Sequence, residues 1–228
     1  MSDAKKGPTK GVSSTANNRG VWITIACVVL FMAVVVGSFI NRVQQPRIMS
    51  ASEMRANGLF LFETPRDPGS FTLIDHRGEA FTERRLEGRW TLLFFGFTHC
   101  PDICPTTLSF LAQLQSQLES TEAADTQVIM LTVDPARDTV GVLANYVPYF
   151  DPEFLGVTGE FIDVLNVARA FNSPFRKVTE ADGSYQVDHS ANVMLINPRG
   201  DFHGFFRAPL DLAKFKVTYR SARYFWEN

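Results

Sequence analysis

The sequence predicts an α/β domain, a sheet flanked by helices, with a single transmembrane helix at the N-terminus. An uncharged apolar run over residues 21–40 predicts the transmembrane helix. Short apolar runs of strand type that alternate with helical patterns, with hairpin signals between them, predict the domain. The chain has 228 residues, 45% of them hydrophobic, which suffices for one domain with its own core.

The N-terminal part of the chain is expected to be a membrane tether. Residues 1–20 are polar and carry four basic residues against one acidic residue, which predicts a disordered cytoplasmic tail. The run over 21–40 is long enough to span the roughly 30 Å hydrocarbon core of a bilayer. A cleaved signal peptide is the alternative, but its apolar region would be about 7–15 residues, followed by small residues that 41–44 lack. We therefore expect an anchor in a bacterial inner membrane with the globular part in the periplasm.

The remaining elements follow in chain order. Residues 41–68, interrupted by prolines, are expected to be a stalk, and the domain to span 69–228. Residues 71–82 predict a β-hairpin with His76 as a solvated turn residue. The apolar and helical patterns then predict core strands at 90–97, 127–133 and 191–196, helices after residues 105, 139 and 159, a partner strand at 202–206 and a final helix at 209–225.

Charge and cysteine content exclude some classes of function. The basic excess lies in the tail, so the soluble part is mildly acidic, which argues against nucleic acid as a partner. Three cysteines are too few for a disulfide scaffold. Cys27 lies inside the apolar run, where we interpret it as a small hydrophobic residue.

Cys100 and Cys104 lie between the first core strand and its helix. Pro105 follows at once, and proline is favoured at the first helical position. A helix N-terminus stabilises the thiolate, the form that binds metal or attacks a disulfide. The pair can therefore close a disulfide or hold one soft metal ion. A thioredoxin-type redox motif has two intervening residues rather than three, and a structural zinc site commonly uses two cysteine pairs, so neither fits.

His189 precedes the strand over 191–196, and it can meet both cysteines if that strand neighbours the strand over 90–97. Four blocks follow one another in the chain: GFTHCPDICP, VDPARDT, LGVTG and VDHSANVMLINPRG. Together they closely resemble the SCO/SenC family of copper-binding assembly proteins. The resemblance runs from about residue 71 to the C-terminal helix and includes the single N-terminal anchor.

The resemblance implies a thioredoxin-like fold and a role in building the binuclear copper site of cytochrome c oxidase. It implies that Cys100, Cys104 and His189 are the copper ligands. It also implies that Asp134 lies near the metal loop, although the same segment could be only a strand end followed by a helix cap. Two thiolates and one imidazole suit Cu(I), and three ligands leave a position from which copper can be passed on.

Three functions remain open at this stage. A metallochaperone, which is a transfer protein rather than an enzyme, needs His189; its partners are the copper-site subunit of cytochrome c oxidase, a copper donor and a thiol reductant. A thiol-disulfide oxidoreductase that keeps the oxidase cysteines reduced uses Cys100 and Cys104 as a redox-active pair. A peroxidase is disfavoured, because Gly96 and Phe97 occupy the upstream positions where such sites carry Thr and Pro. His99 is expected to point away from the site.

Overall fold

The structure, a computed structural model, describes residues 19–44 and 47–227 and divides into two units, one ending at Pro46 and one beginning at Arg47. The first unit contains one helix, α1 (Arg19–Gln44). Its segment from Arg19 to Arg42 contains an 18-residue window with a mean hydropathy of 2.8, none of it buried, so by length and composition it could cross a membrane or serve as a signal sequence. Residues 1–18 of the predicted tail lie outside the described residues.

The second unit is built on an eight-stranded sheet in the order β1-β10-β9-β4-β5-β6-β2-β3. The strands are β1 (Leu59–Arg66), β2 (Thr72–Asp75), β3 (Ala80–Thr82), β4 (Trp90–Gly96), β5 (Thr126–Thr132), β6 (Leu155–Thr158), β9 (Val193–Ile196) and β10 (Phe202–Phe206). Two further strands, β7 (Arg176–Thr179) and β8 (Tyr185–Asp188), form a separate hairpin. The helices are α2 (Ala51–Ala56), α3 (Ile103–Gln117), α4 (Ser120–Ala124), α5 (Val140–Tyr146), α6 (Phe161–Ala170) and α7 (Leu212–Glu227), with 3₁₀ turns at Glu83–Leu86 and Val147–Tyr149.

Strand β4 lies in the middle of this sheet, and all seven of its residues are buried. It runs parallel to β5 and antiparallel to β9, with Phe94 opposite Val193. A strand covered on both faces needs a continuous apolar sequence, which TLLFFG supplies. The predicted α/β architecture and the predicted neighbourhood of these two strands are confirmed.

The globular unit begins earlier in the chain than residue 69. Residues 59–66, which we expect to belong to a stalk, form the edge strand β1 antiparallel to β10. Aromatic contacts hold it there: Phe60 stacks on Phe205 with ring centroids 5.2 Å apart, and Phe62 meets Phe202 edge-on at 4.9 Å. Since these partners lie at the far end of the sequence, the local pattern around the prolines gave no indication of the pairing.

His76 is buried rather than solvated, with 8% of its surface exposed. Its Nδ1 accepts a hydrogen bond from the Gly156 N–H at 2.9 Å. Burial lowers the pKa of His76 below its ordinary value, so the ring is held as a neutral acceptor. The hairpin turn packs against the sheet because β2 pairs with β6, and this long-range pairing overrides the usual solvation of a turn.

Candidate metal centre

The two cysteines lie where β4 leads into α3. Helix α3 begins at Ile103, so Pro105 is in its first turn rather than at its first position. Cys104 is fully buried inside that turn, and Cys100 is half-buried in the loop before it. The Cys104 N–H donates to the Cys100 Sγ at 3.4 Å, and the Phe97 N–H donates to the Cys104 Sγ at 3.5 Å. Each sulfur therefore already accepts a hydrogen bond from one backbone N–H.

His189 completes a cluster of three possible ligands. It lies between β8 and β9, and the pairing of β9 with β4 brings its ring to the cysteine loop. The Cys104 Sγ is 3.5 Å from His189 Nε2, and the ligand atoms of Cys100, Cys104 and His189 all lie within 4.8 Å of one another. Among residues 19–44 and 47–227, no other group of three or more His, Cys, Asp or Glu side chains is spaced to hold a metal ion.

The imidazole is fixed in orientation and tautomer. Its Nδ1 lies 3.0 Å from the Ser190 carbonyl oxygen, to which it donates a proton, so the lone pair is on Nε2 and faces the thiols. The rings of Phe94 and Phe97 contact it edge-on, with centroids 6.0 Å and 5.6 Å away. The ring is thus held ready for coordination through Nε2.

Burial keeps Cys104 and His189 neutral in the metal-free state. It raises the pKa of the Cys104 thiol far above its ordinary value and lowers the pKa of His189 below its own. Since metals bind the thiolate, a metal ion must displace protons from the cysteines. Two sulfurs and one imidazole nitrogen form a soft donor set, suited to Cu(I) rather than to a hard cation such as Mg²⁺.

Gly96 permits the close packing behind the cysteines. A Cβ at this position would lie 2.6 Å from Phe94 Cε1 and 3.1 Å from the Cys104 Sγ. The first distance is shorter than carbon atoms tolerate, and Phe94 is fully buried, so it cannot move aside freely. Glycine at the end of β4 therefore lets Cys104 approach the strand.

Asp138 anchors the loop before Cys100, a role that sequence reasoning missed. Its buried carboxylate accepts hydrogen bonds from the Thr98 N–H at 3.0 Å, the Thr98 hydroxyl at 2.5 Å and the Thr132 hydroxyl at 2.6 Å. The predicted helix cap in this segment is Thr139, whose hydroxyl accepts from the Val142 N–H. Asp138 itself joins the ends of β4 and β5. The signal in the sequence was its place in the loop that follows the predicted strand over 127–133.

Asp134 lies near the site without reaching it. Its carboxylate accepts hydrogen bonds from the Arg137 Nε and, at 3.1 Å, from the Tyr185 hydroxyl. The Arg137 guanidinium lies 3.8 Å from the centroid of the Tyr185 ring and 5.7 Å from that of Phe97. The Asp134 carboxylate therefore contacts the site indirectly, through Arg137 and Phe97.

His99 and His203 lie outside the cluster. His99 has a half-exposed side chain, and its Nδ1 lies 3.1 Å from the Thr98 hydroxyl. His203 packs edge-on between Trp90 and Trp226, with centroids 5.5 Å and 5.4 Å away. Neither ring is among the three grouped ligands.

Comparison with known proteins agrees with this geometry. The profile of the SCO1/SenC family matches residues 63–218. A putative copper-binding protein of Stutzerimonas stutzeri is 44% identical over 140 residues, which cover 61% of this chain and 69% of that protein. The human mitochondrial SCO1 homolog is 41% identical over 142 residues, which cover 60% of this chain and 46% of that protein. The matched part thus spans about half the length of the mitochondrial relative.

Solved structures share the fold. The crystal structure of Arabidopsis thaliana ScoI with copper bound has a TM-score of 0.63 and 36% identity, and the match covers 70% of this chain and 98% of that one. The crystal structure of yeast Sco1 with copper bound has a TM-score of 0.62 and 32% identity, and the match covers 72% of this chain and 91% of that one. The predicted thioredoxin-like fold is confirmed by these similarities.

Proposed function

This chain belongs to the SCO1/SenC family, and on that premise we propose that it is a membrane-anchored copper chaperone. Cys100, Cys104 and His189 bind Cu(I), which the protein delivers during assembly of the binuclear copper site of cytochrome c oxidase. The observation that carries this proposal is the convergence of two sulfurs and one imidazole nitrogen within 4.8 Å at two adjacent strand ends. A soft, three-donor site suits a cuprous ion that has to be released again.

The geometry supports binding followed by transfer. Binding Cu(I) releases the protons of the two thiols, while the neutral His189 contributes Nε2 without losing one. Cys104 is fully enclosed, whereas Cys100 is partly open to solvent. An incoming ligand of another protein therefore approaches from the Cys100 side and replaces the donors one at a time, so that copper is never free in solution.

The proposal includes a location and partners. Helix α1 anchors the chain in a bacterial inner membrane with the N-terminus cytoplasmic, and the globular unit lies in the periplasm, because basic residues are enriched before the helix. The partners are the copper-site subunit of the oxidase, a copper donor and a thiol reductant. The reductant is required because the periplasm oxidises thiols, and Cu(I) binding needs both of them reduced.

A thiol-disulfide oxidoreductase is the second candidate. The observation that favours it is the approach of the two cysteines, whose Cys104 N–H donates to the more accessible Cys100 Sγ at 3.4 Å. Cys100, as a thiolate, would attack a disulfide of the oxidase subunit to form a mixed disulfide and free one subunit thiol. Attack by Cys104 on the Cys100 sulfur would then free the second subunit thiol and leave a Cys100–Cys104 disulfide. His189 is not needed for either step.

Substitution of His189 separates the two functions. His189→Ala should remove one of three copper ligands and weaken Cu(I) retention against a chelator by about tenfold or more, while the dithiol chemistry continues. Oxidase assembly in cells should fail and be partly restored by excess copper. His99→Ala is the matched control, since its ring is outside the cluster, and Cys100→Ala should abolish both activities.

Wild-type Cu(I) retention and full oxidase activity in the His189→Ala variant would contradict the chaperone. The oxidoreductase would then be the better description of the protein. Loss of Cu(I) retention in His99→Ala as well would instead indicate that the loop, rather than the ligand, was disturbed.

A further inference from the structure

A second candidate site lies beside the metal centre, under the β7–β8 hairpin. A cavity of about 260 Å³ opens between this hairpin, the start of α6 and the loop after β5. We call it the hairpin groove. Its apolar lining comes from the following residues: Val133, Phe161, Phe175, Tyr185 and Val187.

One aromatic side chain of the groove is largely exposed. Phe161 is 58% exposed, and it meets Phe175 edge-on with ring centroids 6.0 Å apart. In the hairpin, Lys177 is paired with Val187 and Thr179 with Tyr185, so these four side chains share one face. That face turns towards the groove. A concave apolar site that carries a largely exposed aromatic ring is typical of an interaction surface.

The rim of the groove is positively charged. The Lys177 Nζ lies 3.5 Å from the centre of the Tyr185 ring and has no ion pair within the part of the chain that the structure describes. Arg176 pairs with Asp188 at 3.1 Å, but both side chains remain largely exposed. The carboxylate of Asp134 in the lining is already bound by Arg137 and Tyr185. An occupant with a negative charge near Lys177 is therefore favoured over a positive one.

The hairpin also offers a strand edge. Strand β7 pairs with β8 alone, so the backbone groups along its outer edge have no strand partner. An extended segment can pair with such an edge, and its alternate side chains then lie on the face that Lys177 shares with the groove. Backbone pairing, an apolar cavity and a cationic rim together describe a site for an extended peptide.

We propose that the hairpin groove docks an extended segment of a partner protein, with an apolar side chain in the cavity and a neighbouring carboxylate against Lys177. Strand β8 leads directly into His189, and Tyr185 stacks on Arg137, which in turn lies against Phe97 beside the imidazole. A docked segment is thus held next to the part of the metal centre that His189 and Phe97 form. That this partner is the copper recipient rests on the proposed function, whereas the docking chemistry does not.

The test uses the full chain in phosphatidylcholine nanodiscs and a fluorescein-labelled peptide, Thr-Phe-Thr-Asp-Thr, with blocked ends. Binding is followed by fluorescence anisotropy at low and at physiological salt. One control peptide has Gly in place of Phe, and the other has Lys in place of Asp. We expect the peptide to bind the wild type and both control peptides to bind at least about fivefold more weakly.

Two variants of the groove and one control variant locate the binding. Lys177→Glu and Phe161→Ser should each weaken peptide binding by about fivefold or more, and Lys177→Glu should also remove its salt dependence. Lys214→Glu, an exposed lysine on α7, should bind as the wild type does. All three should retain Cu(I), because no copper ligand is changed; should Phe161→Ser fail to fold, Lys177→Glu decides.

The proposal is overturned if the wild type does not bind the peptide, if the control peptides bind equally well, or if Lys177→Glu binds like the wild type. A dimeric chain whose association depends on Lys177, without peptide binding, would show that a second copy occupies the groove and would also overturn it. Peptide binding by a wild type that fails to retain Cu(I) would refute the chaperone function and support the docking site.

Discussion

Replacement of Asp138 tests how the cysteine loop is held in place. Its fully buried carboxylate accepts three hydrogen bonds: from the N–H and the hydroxyl of Thr98 and from the hydroxyl of Thr132. Thr98 stands two residues before Cys100, and the Cys100 N–H donates to the Phe97 carbonyl at 3.2 Å. Asp138 therefore connects the end of β5 to the loop that positions the first sulfur.

The size of the effect follows from these bonds. Asp138→Ala leaves the Thr98 N–H and the Thr132 hydroxyl without their acceptor, at about 1–3 kcal/mol for each buried group, so we expect about 3–5 kcal/mol of lost stability in total. Asp138→Asn keeps the shape and one acceptor oxygen but loses the charge, for which we expect about 1–2 kcal/mol. Thr132→Val leaves the carboxylate in place but removes one donor to it and the acceptor of the Asp134 N–H, so it should cost about 1–2 kcal/mol.

Urea unfolding of the full chain in detergent micelles, followed by tryptophan fluorescence, measures these differences. Cu(I) retention against a chelator should fall in the same order, because a displaced loop moves Cys100 away from Cys104 and His189. A loss of less than about 1 kcal/mol in Asp138→Ala would refute the reasoning, since the stated bonds cannot then be holding the loop.

Three further predictions concern the surroundings of the site. Gly96→Ala should destabilise the domain by about 1–3 kcal/mol and weaken Cu(I) retention, because its Cβ would lie 2.6 Å from Phe94 Cε1. Burial lowers the pKa of His203 to about 4, so as the pH falls from about 6.5 to about 4 the unfolded chain takes up a proton that the folded chain does not. Stability should therefore fall across this range, by up to about 3 kcal/mol, and the His203→Phe variant should lose less. Cys100 and Cys104 are both unpaired, and mild oxidation should join them in an intramolecular disulfide without unfolding the domain.

Each of these predictions has a measurement and a contrary outcome. Gly141→Ala is the control for Gly96→Ala, since no atom lies within 4 Å of its added Cβ; equal unfolding midpoints for the two variants would contradict the packing argument. Parallel pH profiles of unfolding for wild type and His203→Phe would contradict the burial argument. Mass spectrometry should show the loss of two hydrogens on the peptide with both cysteines, and full alkylation after oxidation would contradict the disulfide.

The sequence predicted the parts of the site that depend on local pattern. The continuous apolar run of β4, the cysteines before Pro105 and the strand after His189 are each visible within a few residues. The cysteines and His189 can meet only if the strands over 90–97 and 191–196 are neighbours in the sheet. The pairing of Phe94 with Val193 shows that they are. Whether the three side chains are copper ligands in this chain stays a prediction.

Interactions between distant segments could not be predicted in this way. Strand β1 is held by aromatic residues of β10, His76 by the backbone of Gly156, and Thr98 by Asp138 across 40 residues of sequence. In each case the local sequence permits a loop or a stalk equally well, and the choice is made by a partner whose position depends on the finished sheet. The hairpin groove likewise exists only after α6 and the hairpin have packed together.

The site combines donors with very different separations in sequence. The two cysteines are four residues apart and come together where the loop leads into α3, whereas His189 is 85 residues beyond Cys104 and reaches it through the pairing of β9 with β4. A nascent or misfolded chain can therefore offer copper two sulfurs but not the imidazole. If the three side chains hold Cu(I) as proposed, strong retention of the metal is a property of completely folded molecules, and the bound ion stabilises that state by mass action. Metal loading would then select the copies in which the central sheet has formed.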